Sequence, residues 1–386
     1  MEDKKSTLGL AGEGTIDVTE YAADPLELRP QPLSVPAPFS LRDEKRWLGV
    51  LWRGDLDFLP QLQSQIRSAK VEMLKLGGLV QAGFPLSVAV VAFEGKVDSK
   101  LQHARWLHVM PTIAENTLDA EYSSWARQLL GLPTWASGEV ARAELGWRLT
   151  GFARSIRAAA SRRASLWNDM GLAGQYFRRG HHSPGRTWAK VSLETLTAWD
   201  VPDFPLCLDQ EGAPVSTEKY KEVVKKLLEA RCQTRWRESI QKRTDPLPFV
   251  LYLKGPSEVH HDLLAEGAPW DSLTNVRGWC RVRSQGIQLA EMNGVPSKAA
   301  GASCIFCGRN IAGAEFHHVL AECPAWAQER AKIIPHQGVN PGPMRASDLL
   351  MAILAPGGQR RAAARNFAAT IDVAATAHWA SKDQWA

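Results

Sequence analysis

The sequence predicts a mainly α-helical protein with a short strand near its start and a small element of cysteines and histidines near its C-terminus. Several long windows place apolar residues three and four positions apart, which is the spacing of one helix face. One short apolar window, Arg46–Trp52, is followed by the turn residues Arg53-Gly54-Asp55 and is typical of a strand. Three of the six cysteines fall within twenty residues, beside two adjacent histidines, which favours a metal-binding element.

The N-terminal segment lacks the periodicity of a helix or a strand. Five prolines lie between Pro25 and Pro38. Because proline removes a backbone donor and favours extended chain, residues 1–45 are expected to form an irregular, disordered leader. Residues 1–6 are charged, unlike a signal peptide, and no window offers the roughly 18 apolar residues of a membrane span. We therefore expect an intracellular protein, nuclear or cytoplasmic, that is neither secreted nor membrane-spanning.

Six windows combine apolar residues at helical spacing with a recognisable start or end. The first begins after Asp57, a good cap, and is expected to end at Gly77-Gly78. The second ends at Pro111, and the third ends just before Pro133. The expected helices cover residues 57–76, 97–110, 117–130, 151–170, 216–243 and 360–379.

These breaks divide the chain into five expected segments. Pro356-Gly357-Gly358 sets off the alanine-rich end of the chain from what precedes it. The segments are the leader (1–45), a helical region that includes the strand (46–135), a basic helical region (136–300), the metal-binding element (301–332) and a helical tail (333–386).

Positive charge is concentrated in the middle of the chain, although the net charge is only +5. Residues 139–190 hold ten Lys/Arg against three Asp/Glu, and residues 219–243 hold nine against three. Subtracting this excess of thirteen from the net charge leaves the rest of the chain acidic by eight. Such asymmetry is typical of a phosphate-binding surface, although lysines and arginines on solvated helix faces give the same pattern.

Seven basic residues are the candidate phosphate contacts, through interactions that are independent of sequence and sensitive to salt. In the window 151–170, Phe152, Ile156 and Trp167 share one side of the helix, and Arg163 lies towards it. The residues expected to face inward in the window 216–243 are Tyr220, Val223, Val224, Leu227 and Leu228. The candidate contacts are Arg154, Arg157, Arg162, Arg178, Arg179, Lys225 and Lys226.

The pattern Cys304-x2-Cys307 followed by His318-x4-Cys323 carries the clearest chemistry. Two cysteines separated by two residues can point both thiolates at one ion, the usual first half of a zinc site. Cys323 supplies a third sulfur, and either His317 or His318 supplies the nitrogen. Thiolate ligands favour zinc over magnesium or calcium, and an intracellular chain is not expected to be held by disulfides. The alternative is a set of buried thiols beside a chance histidine pair.

Four ligands of this kind leave no open position for a substrate, so the expected zinc site is structural. His318 and Cys323 are five residues apart, which is out of register on a regular helix. Because the residue before proline avoids the α region, Cys323 is expected just past the helix end, where its sulfur can turn back towards His318. Phe316 and Leu320 are expected to form a small core beneath the ion.

No other pattern indicates a catalytic centre. The chain has no glycine-rich phosphate loop ending in Gly-Lys-Ser/Thr and no nucleophile elbow, so no catalytic residue is assigned. Two further histidine pairs lack ligands at metal spacing, which favours surface or phosphate-contact roles, and the remaining cysteines are isolated, which favours packing. These residues are His181-His182, His260-His261, Cys207, Cys232 and Cys280.

The segment 301–330 resembles the zinc-binding element that follows the reverse transcriptase of non-LTR (LINE-type) retrotransposons. It reads Cys-Ile-Phe-Cys-Gly and then Glu-Phe-His-His-Val-Leu-Ala-Glu-Cys-Pro-Ala-Trp. The family reads roughly Cys-x-x-Cys-Gly, a short spacer, and His-Leu-Leu-x-x-Cys-Pro. The spacer here is slightly longer, which keeps His317 as an alternative ligand. The ligands that the resemblance implies are Cys304, Cys307, His318 and Cys323.

Two further segments are similar to other parts of that family. Trp47-Leu48-Gly49 resembles the Tyr-Leu-Gly motif that helps to hold the primer end, and residues 119–146 resemble the thumb and linker. The resemblance spans about residues 46–332 and implies a helical body like a thumb and linker.

The resemblance stops short of an active polymerase. The fingers and most of the palm would precede residue 46, and Tyr21-Ala22-Ala23-Asp24 lacks the paired aspartates of the catalytic motif. No magnesium site is identifiable, so we expect a zinc-containing remnant or fragment that binds RNA or DNA and does not catalyse polymerisation as it stands. Two alternatives stay open: an accessory part of an active RNA-directed DNA polymerase whose palm is encoded upstream, and a protein-binding adaptor.

Overall fold

The fold is mainly helical, as the sequence predicts. The computed structural model describes residues 44–47, 50–53, 57–82, 84–208, 212–213, 215–242, 273–284, 287, 303–311, 315–333 and 360–383. Almost all of the predicted leader therefore lies outside the described residues. None of the helices in the described ranges is long and apolar enough to cross a membrane.

A two-stranded antiparallel sheet opens the described chain. Strand β1, Glu44–Trp47, pairs with strand β2, Val50–Arg53, with Trp47 opposite Val50. The sequence predicts one strand over Arg46–Trp52, whereas the structure has two short strands. Two residues separate the strands in the sequence.

Helices account for most of the remaining described chain. The α-helices are α1 Leu59–Gln81, α2 Leu86–Ala92, α3 Ser99–Gln102, α4 Ala114–Leu130, α5 Gly138–Glu144, α6 Gly151–Trp167, α7 Leu172–Gly180, α8 Trp188–Ala198, α9 Thr217–Gln241, α10 Leu273–Arg283, α11 Glu315–His317, α12 Ala327–Ile333 and α13 Arg360–Asp383. Turns of 3₁₀ helix cover Arg105–Val109, Phe204–Leu206 and Pro324–Trp326, and π turns cover Phe93–Asp98 and His318–Glu322.

Four of the predicted helices, those over 117–130, 151–170, 216–243 and 360–379, are confirmed as α4, α6, α9 and α13 with shifted ends. The predicted end of α1 at Gly77-Gly78 is wrong, because the helix continues to Gln81. A Cβ added at Gly77 would lie 3.2 Å from Nε2 of Gln128. The glycine thus permits a close helix contact instead of ending the helix.

The single helix predicted over 97–110 is also wrong. The chain passes from α3 through Ala104, whose φ is 54°, into a 3₁₀ turn. Buried contacts hold this break: Gln65 Nε2 donates to the His103 carbonyl at 2.5 Å, and Gln65 Oε1 lies 2.6 Å from Nε2 of the fully buried His108. Contacts with Gln65, a side chain far away in the sequence, therefore stabilise the break in the helix.

The described chain forms two compact units, each assembled from separate stretches. Unit 1 comprises the described residues up to Ala69, Ser99–Thr117 and Phe152–Leu228. Unit 2 comprises Lys70–Asp98, Leu118–Gly151 and the described residues from Glu229 onwards.

A fully buried arginine ties together three elements of unit 1. Arg163 on α6 makes a bidentate pair with Asp203, with Nε–Oδ1 at 2.8 Å and Nη2–Oδ2 at 2.5 Å. Its Nη1 donates to the Ala189 carbonyl and to Ser192 Oγ on α8. The predicted position of Arg163 towards the apolar side is confirmed, and the ion pair explains how a charge is held there.

Aromatic side chains form the core of unit 2. Phe93 stacks on Trp147 with ring centroids 4.3 Å apart, and Tyr122 and Trp125 pack around Phe93 at 5.9 Å each. All four side chains are buried. Large indoles therefore act as packing anchors here, which is their ordinary role.

Helices α10 and α13 cross at close range in unit 2. A Cβ added at Gly278 would lie 2.5 Å from the Ala369 Cα, so only a glycine fits this crossing. Arg281 on α10 binds Asp372 on α13 at 2.8 Å. Arg283, also on α10, makes a buried ion pair with Glu144 on α5 at 2.7 Å.

Candidate metal centre

The first half of the cysteine and histidine cluster is a tight turn. The Gly308 amide donates to the Cys304 carbonyl at 2.9 Å, and the Cys304 amide donates to the Arg309 carbonyl at 2.8 Å. Gly308 has a φ of 71°, a conformation that favours glycine. The Phe306 amide points at Cys304 Sγ, 3.4 Å away. The backbone amides of Phe306 and Cys307 thus hydrogen-bond to the Cys304 sulfur, an arrangement that suits a thiolate.

The second half depends on the π turn His318–Glu322. In a π turn the hydrogen bond joins residues five apart, and the Cys323 amide donates to the His318 carbonyl at 2.6 Å. Cys323 itself has left the helical region, with φ −58° and ψ 121°, directly before Pro324. The prediction that Cys323 lies just past the helix end is confirmed. The wider turn brings two residues into register that a regular α-helix would separate.

The four predicted ligands come together. Three sulfurs and one imidazole nitrogen, from Cys304, Cys307, His318 and Cys323, lie within 4.8 Å of one another. Cys304 Sγ is 3.9 Å from Cys323 Sγ, and Cys307 Sγ is 3.2 Å from His318 Nε2. A tetrahedral zinc with bonds of about 2.3 Å to sulfur and about 2.0 Å to nitrogen separates two sulfurs by roughly 3.8 Å and a sulfur from the nitrogen by roughly 3.5 Å. The residues therefore fit such an ion.

The adjacent histidines occupy different positions. His318 is 5% exposed and turns Nε2 towards Cys307, while its Nδ1 lies 3.9 Å from a carboxylate oxygen of Glu322. His317 is more exposed and outside the cluster, with Nδ1 3.4 Å from the other oxygen of Glu322. The geometry thus selects His318, with Glu322 beside its outer nitrogen.

Burial and hydrogen bonds together shift the pKa values of the four side chains in the cluster. Burial raises the pKa of Cys304 and raises the pKa of Cys323 to about 12. Burial also opposes the charge of Cys307, but hydrogen bonds from the Arg309 amide and from Cys304 outweigh it and lower the pKa of Cys307. Burial lowers the pKa of His318, which favours the neutral imidazole that a metal requires. A metal would therefore displace protons chiefly from thiols.

Aromatic rings brace the cluster from outside. Phe306, on the first turn, packs edge to face against Trp326 with centroids 5.1 Å apart, and Trp326 packs against Phe367 of α13 at 6.4 Å. Phe316 and Leu320 are buried, in agreement with the predicted core. The bracing role of Trp326 was not predicted from the sequence, although its place two residues after Pro324 is a signal that could have shown it.

The structure places all seven candidate phosphate contacts in unit 1. Arg154 and Arg178 are only half-exposed. Arg178 donates to the carbonyls of Trp167 and Asp169 at 3.1 and 3.0 Å, so it caps the end of α6. The exposed members are Arg157, Arg162, Arg179, Lys225 and Lys226.

Helix α9 buries a narrower row than expected. Tyr220, Val224 and Leu228 are buried, whereas Val223 is half-buried and Leu227 is 37% exposed. The inward position predicted for Leu227 is therefore wrong. The buried row advances in steps of four residues, which drift around a helix of 3.6 residues per turn. The drift leaves Leu227 on the exposed side, next to the lysines.

Among the described residues, the cluster is the one group of three or more metal-ligating side chains, and none of the other predicted residues is a member of it. His181 stacks on Trp167 at 5.3 Å and lies 3.2 Å from Arg163 Nη2, so it is part of the packing. The isolated cysteines, Cys207, Cys232 and Cys280, are buried, as predicted. The residues outside the described ranges are Leu48, Gly49, His260, His261 and the side chain of Trp47.

Comparison with protein-family models, with curated proteins and with solved structures finds no match for this chain. The candidate metal centre and the distribution of charge are then the observations on which a function can rest.

Proposed function

We propose that this protein is a zinc-containing nucleic-acid-binding protein in which the zinc is structural. The observation that carries the proposal is the convergence of Cys304, Cys307, His318 and Cys323 within 4.8 Å. Three sulfurs and one imidazole nitrogen are the donor set of a closed zinc site and suit magnesium or calcium poorly.

The burial of the cluster supports a structural role. Cys304 and Cys323 are 2% and 0% exposed, His318 is nearly buried, and Cys307 is half-buried. Four protein ligands complete a tetrahedron, which leaves no position for a water or a substrate. The chemistry that zinc would supply here is therefore cross-linking of the turn at Cys304 to the helix end at Cys323, without catalysis.

The exposed basic residues of unit 1 support nucleic-acid binding. Arg157, Arg162 and Arg179 on α6 and α7, with Lys225 and Lys226 on α9, present positive charge to solvent. Long cationic side chains on a helical surface suit phosphate contacts that do not read sequence. The resulting affinity should fall with salt, because each neutralised phosphate releases counterions.

We further propose kinship with the region that follows the catalytic palm in LINE-type reverse transcriptases. Support comes from the Cys-x2-Cys, His-x4-Cys-Pro pattern, whose members are the residues that converge. The chain would then be a remnant or fragment, or an accessory part of an RNA-directed DNA polymerase.

One observation favours the adaptor as a second candidate. Apolar side chains on α1 and α2 are exposed in unit 2, among them Val71, Leu74, Val88 and Val91. Exposed apolar surface of this kind often marks a protein interface. Tight binding to a protein, without affinity for RNA or DNA at low salt, would favour the adaptor.

A charge reversal tests nucleic-acid binding. The double substitution Arg157→Glu with Arg162→Glu should weaken binding of a labelled single-stranded RNA or DNA at low salt by roughly tenfold or more. It should also flatten the slope of log Kd against log salt by about one for each phosphate that the variant no longer neutralises. Fluorescence anisotropy across a salt series measures both quantities.

The matched control reverses two exposed lysines of unit 2, Lys75→Glu with Lys332→Glu, each of which pairs with a neighbour on its own helix. The control changes the net charge by the same amount. If both double variants weaken binding equally, the arginines of α6 are a solvated face and the proposed surface is wrong.

A further inference from the structure

Arg330 stands out among the residues around the metal centre. It lies on α12, is 8% exposed, and its Nη2 donates to the carbonyl of Cys323 at 2.6 Å. Its Nη1 is buried and donates to no acceptor among the described residues. A buried guanidinium with an unused donor is costly, so its retention beside a metal ligand needs a reason.

Charge balance gives that reason. Zinc with three thiolates and one neutral imidazole carries one net negative charge. A buried charge is tolerated when an opposite charge lies beside it. Arginine stays protonated even when buried, and its planar fork offers several donors at fixed angles.

Other charged residues near the cluster do not fill this role. Glu322 is negative and 57% exposed, and it faces the outer nitrogens of His317 and His318. Its carboxylate also interacts electrostatically with Arg330, but less strongly than Cys323 does. Arg309 is positive but lies on the exposed side of the first turn. Arg330 is the buried cation among the described residues in contact with a ligand of the cluster.

We propose that Arg330 is the fixed counter-charge of the metal centre: it is held in place through the Cys323 carbonyl, which keeps its positive charge close to the Cys323 thiolate. The inference rests on the proposed zinc site and adds a positioning residue that no ligand pattern contains.

The test separates charge from hydrogen bonding at residue 330. Arg330→Gln keeps an N–H donor and loses the charge, whereas Arg330→Lys keeps the charge. Lys332→Gln removes an exposed charge from the same helix and is the matched control.

Zinc affinity is measured on the full chain by competition with a chelator. Arg330→Gln should bind zinc about 10- to 100-fold more weakly, the usual effect of losing an outer-shell partner. Arg330→Lys and Lys332→Gln should stay close to wild type.

A second variant changes the net charge of the metal cluster itself. His318→Cys would convert the cluster to four thiolates with two net negative charges. The loss caused by Arg330→Gln should then be larger in the His318→Cys background than in wild type. A residue that only supports the fold would cost the same in both backgrounds.

Cobalt spectra provide the readout where a variant folds poorly. Co²⁺ bound to Arg330→Gln should keep tetrahedral absorption bands, with the sulfur-to-cobalt charge-transfer band moved to lower energy, because the thiolates lose a positive neighbour. Equal losses for Arg330→Gln and Arg330→Lys, or a charge-transfer band that does not move, would overturn the counter-charge. Wild-type protein that binds neither Zn²⁺ nor Co²⁺ would overturn the proposed site itself.

Discussion

His317 and His318 are neighbours in the chain, yet their imidazoles face different surroundings. His318 directs Nε2 at Cys307 Sγ, 3.2 Å away, from a buried position. His317 contacts Glu322 at the surface. In zinc sites the outer nitrogen of a ligating histidine commonly donates to a carboxylate, which fixes the ring and its tautomer. Glu322, 3.9 Å from His318 Nδ1, stands where such a partner is found.

The orientation of these two histidines leads to a direct comparison of variants. His318→Ala should lose bound zinc, or bind it at least about 100-fold more weakly, because one of four ligands is removed. His317→Ala should keep the metal content of wild type. Elemental analysis of the purified proteins measures this, and an equal loss in both variants would contradict the assignment of His318.

The protonation of the thiols predicts how zinc binding depends on pH. Burial raises the pKa of Cys304 and Cys323, so both hold protons at neutral pH and each releases one when the metal binds. His318 releases none, because burial lowers its pKa. Between about pH 6.5 and about pH 8, log affinity should rise by roughly two for each pH unit, with up to one more from the Cys307 thiol, whose pKa hydrogen bonds lower. Chelator competition at several pH values tests this, and an affinity that does not change with pH would contradict it.

The ligand residues could be predicted from the sequence because sulfur and imidazole ligands form a recognisable spacing. Arg330 could not. It has no metal-ligating atom, and its importance comes from burial beside Cys323, which depends on the packing of α12. The choice between His317 and His318 also required the backbone geometry of the π turn.

Among the secondary-structure elements, the π turn His318–Glu322 contributes most to the site. The sequence predicts a helix that ends before Pro324, and the structure agrees. The alignment of His318 with Cys323 needs the hydrogen bond between residues five apart, which helical periodicity does not predict. Such π turns are frequent at functional sites.

The close crossing of α10 and α13 predicts that one methyl group added at Gly278 destabilises the protein. Gly278→Ala would place a Cβ 2.5 Å from the Ala369 Cα, and backbone cannot give way as a flexible side chain can. The substitution should lower the free energy of unfolding by about 1–3 kcal/mol. Urea denaturation followed by circular dichroism measures the change.

Gly78→Ala is the control for Gly278→Ala. Nothing lies within 4 Å of a Cβ added at Gly78, which is exposed within α1. This substitution should stabilise the protein by roughly 0.5–1 kcal/mol, because alanine favours the helix. If Gly278→Ala is as stable as Gly78→Ala, the close crossing is wrong.

Helices whose apolar residues show no strong helical spacing were not predicted from the sequence. Helix α5 is seven residues long, with Ser137 as its cap, and α8 begins at the cap Thr187. Caps alone give a weak signal when the apolar spacing covers only two or three turns. Tertiary contacts stabilise these helices, as when Arg163 donates to Ala189 and Ser192 of α8.

At the scale of the whole molecule, the proposed zinc site and the proposed nucleic-acid surface belong to different units. The cysteine and histidine cluster belongs to unit 2, and the exposed basic residues belong to unit 1. Each unit is assembled from stretches far apart in the chain. Breaks in periodicity locate element ends, but they carry no information on which distant stretches pack together. The mainly helical class was therefore predictable, and the assembly of the units was not.

The metal content of the purified chain tests the central claim most directly. Native mass spectrometry, checked by elemental analysis, should find one zinc per chain in wild type and in the control Cys207→Ala, whose sulfur lies in unit 1. Cys304→Ala with Cys307→Ala should carry none, since two of the four ligands are removed. Equal metal content in wild type and in the double variant would contradict the site, and with it the proposed role of Arg330.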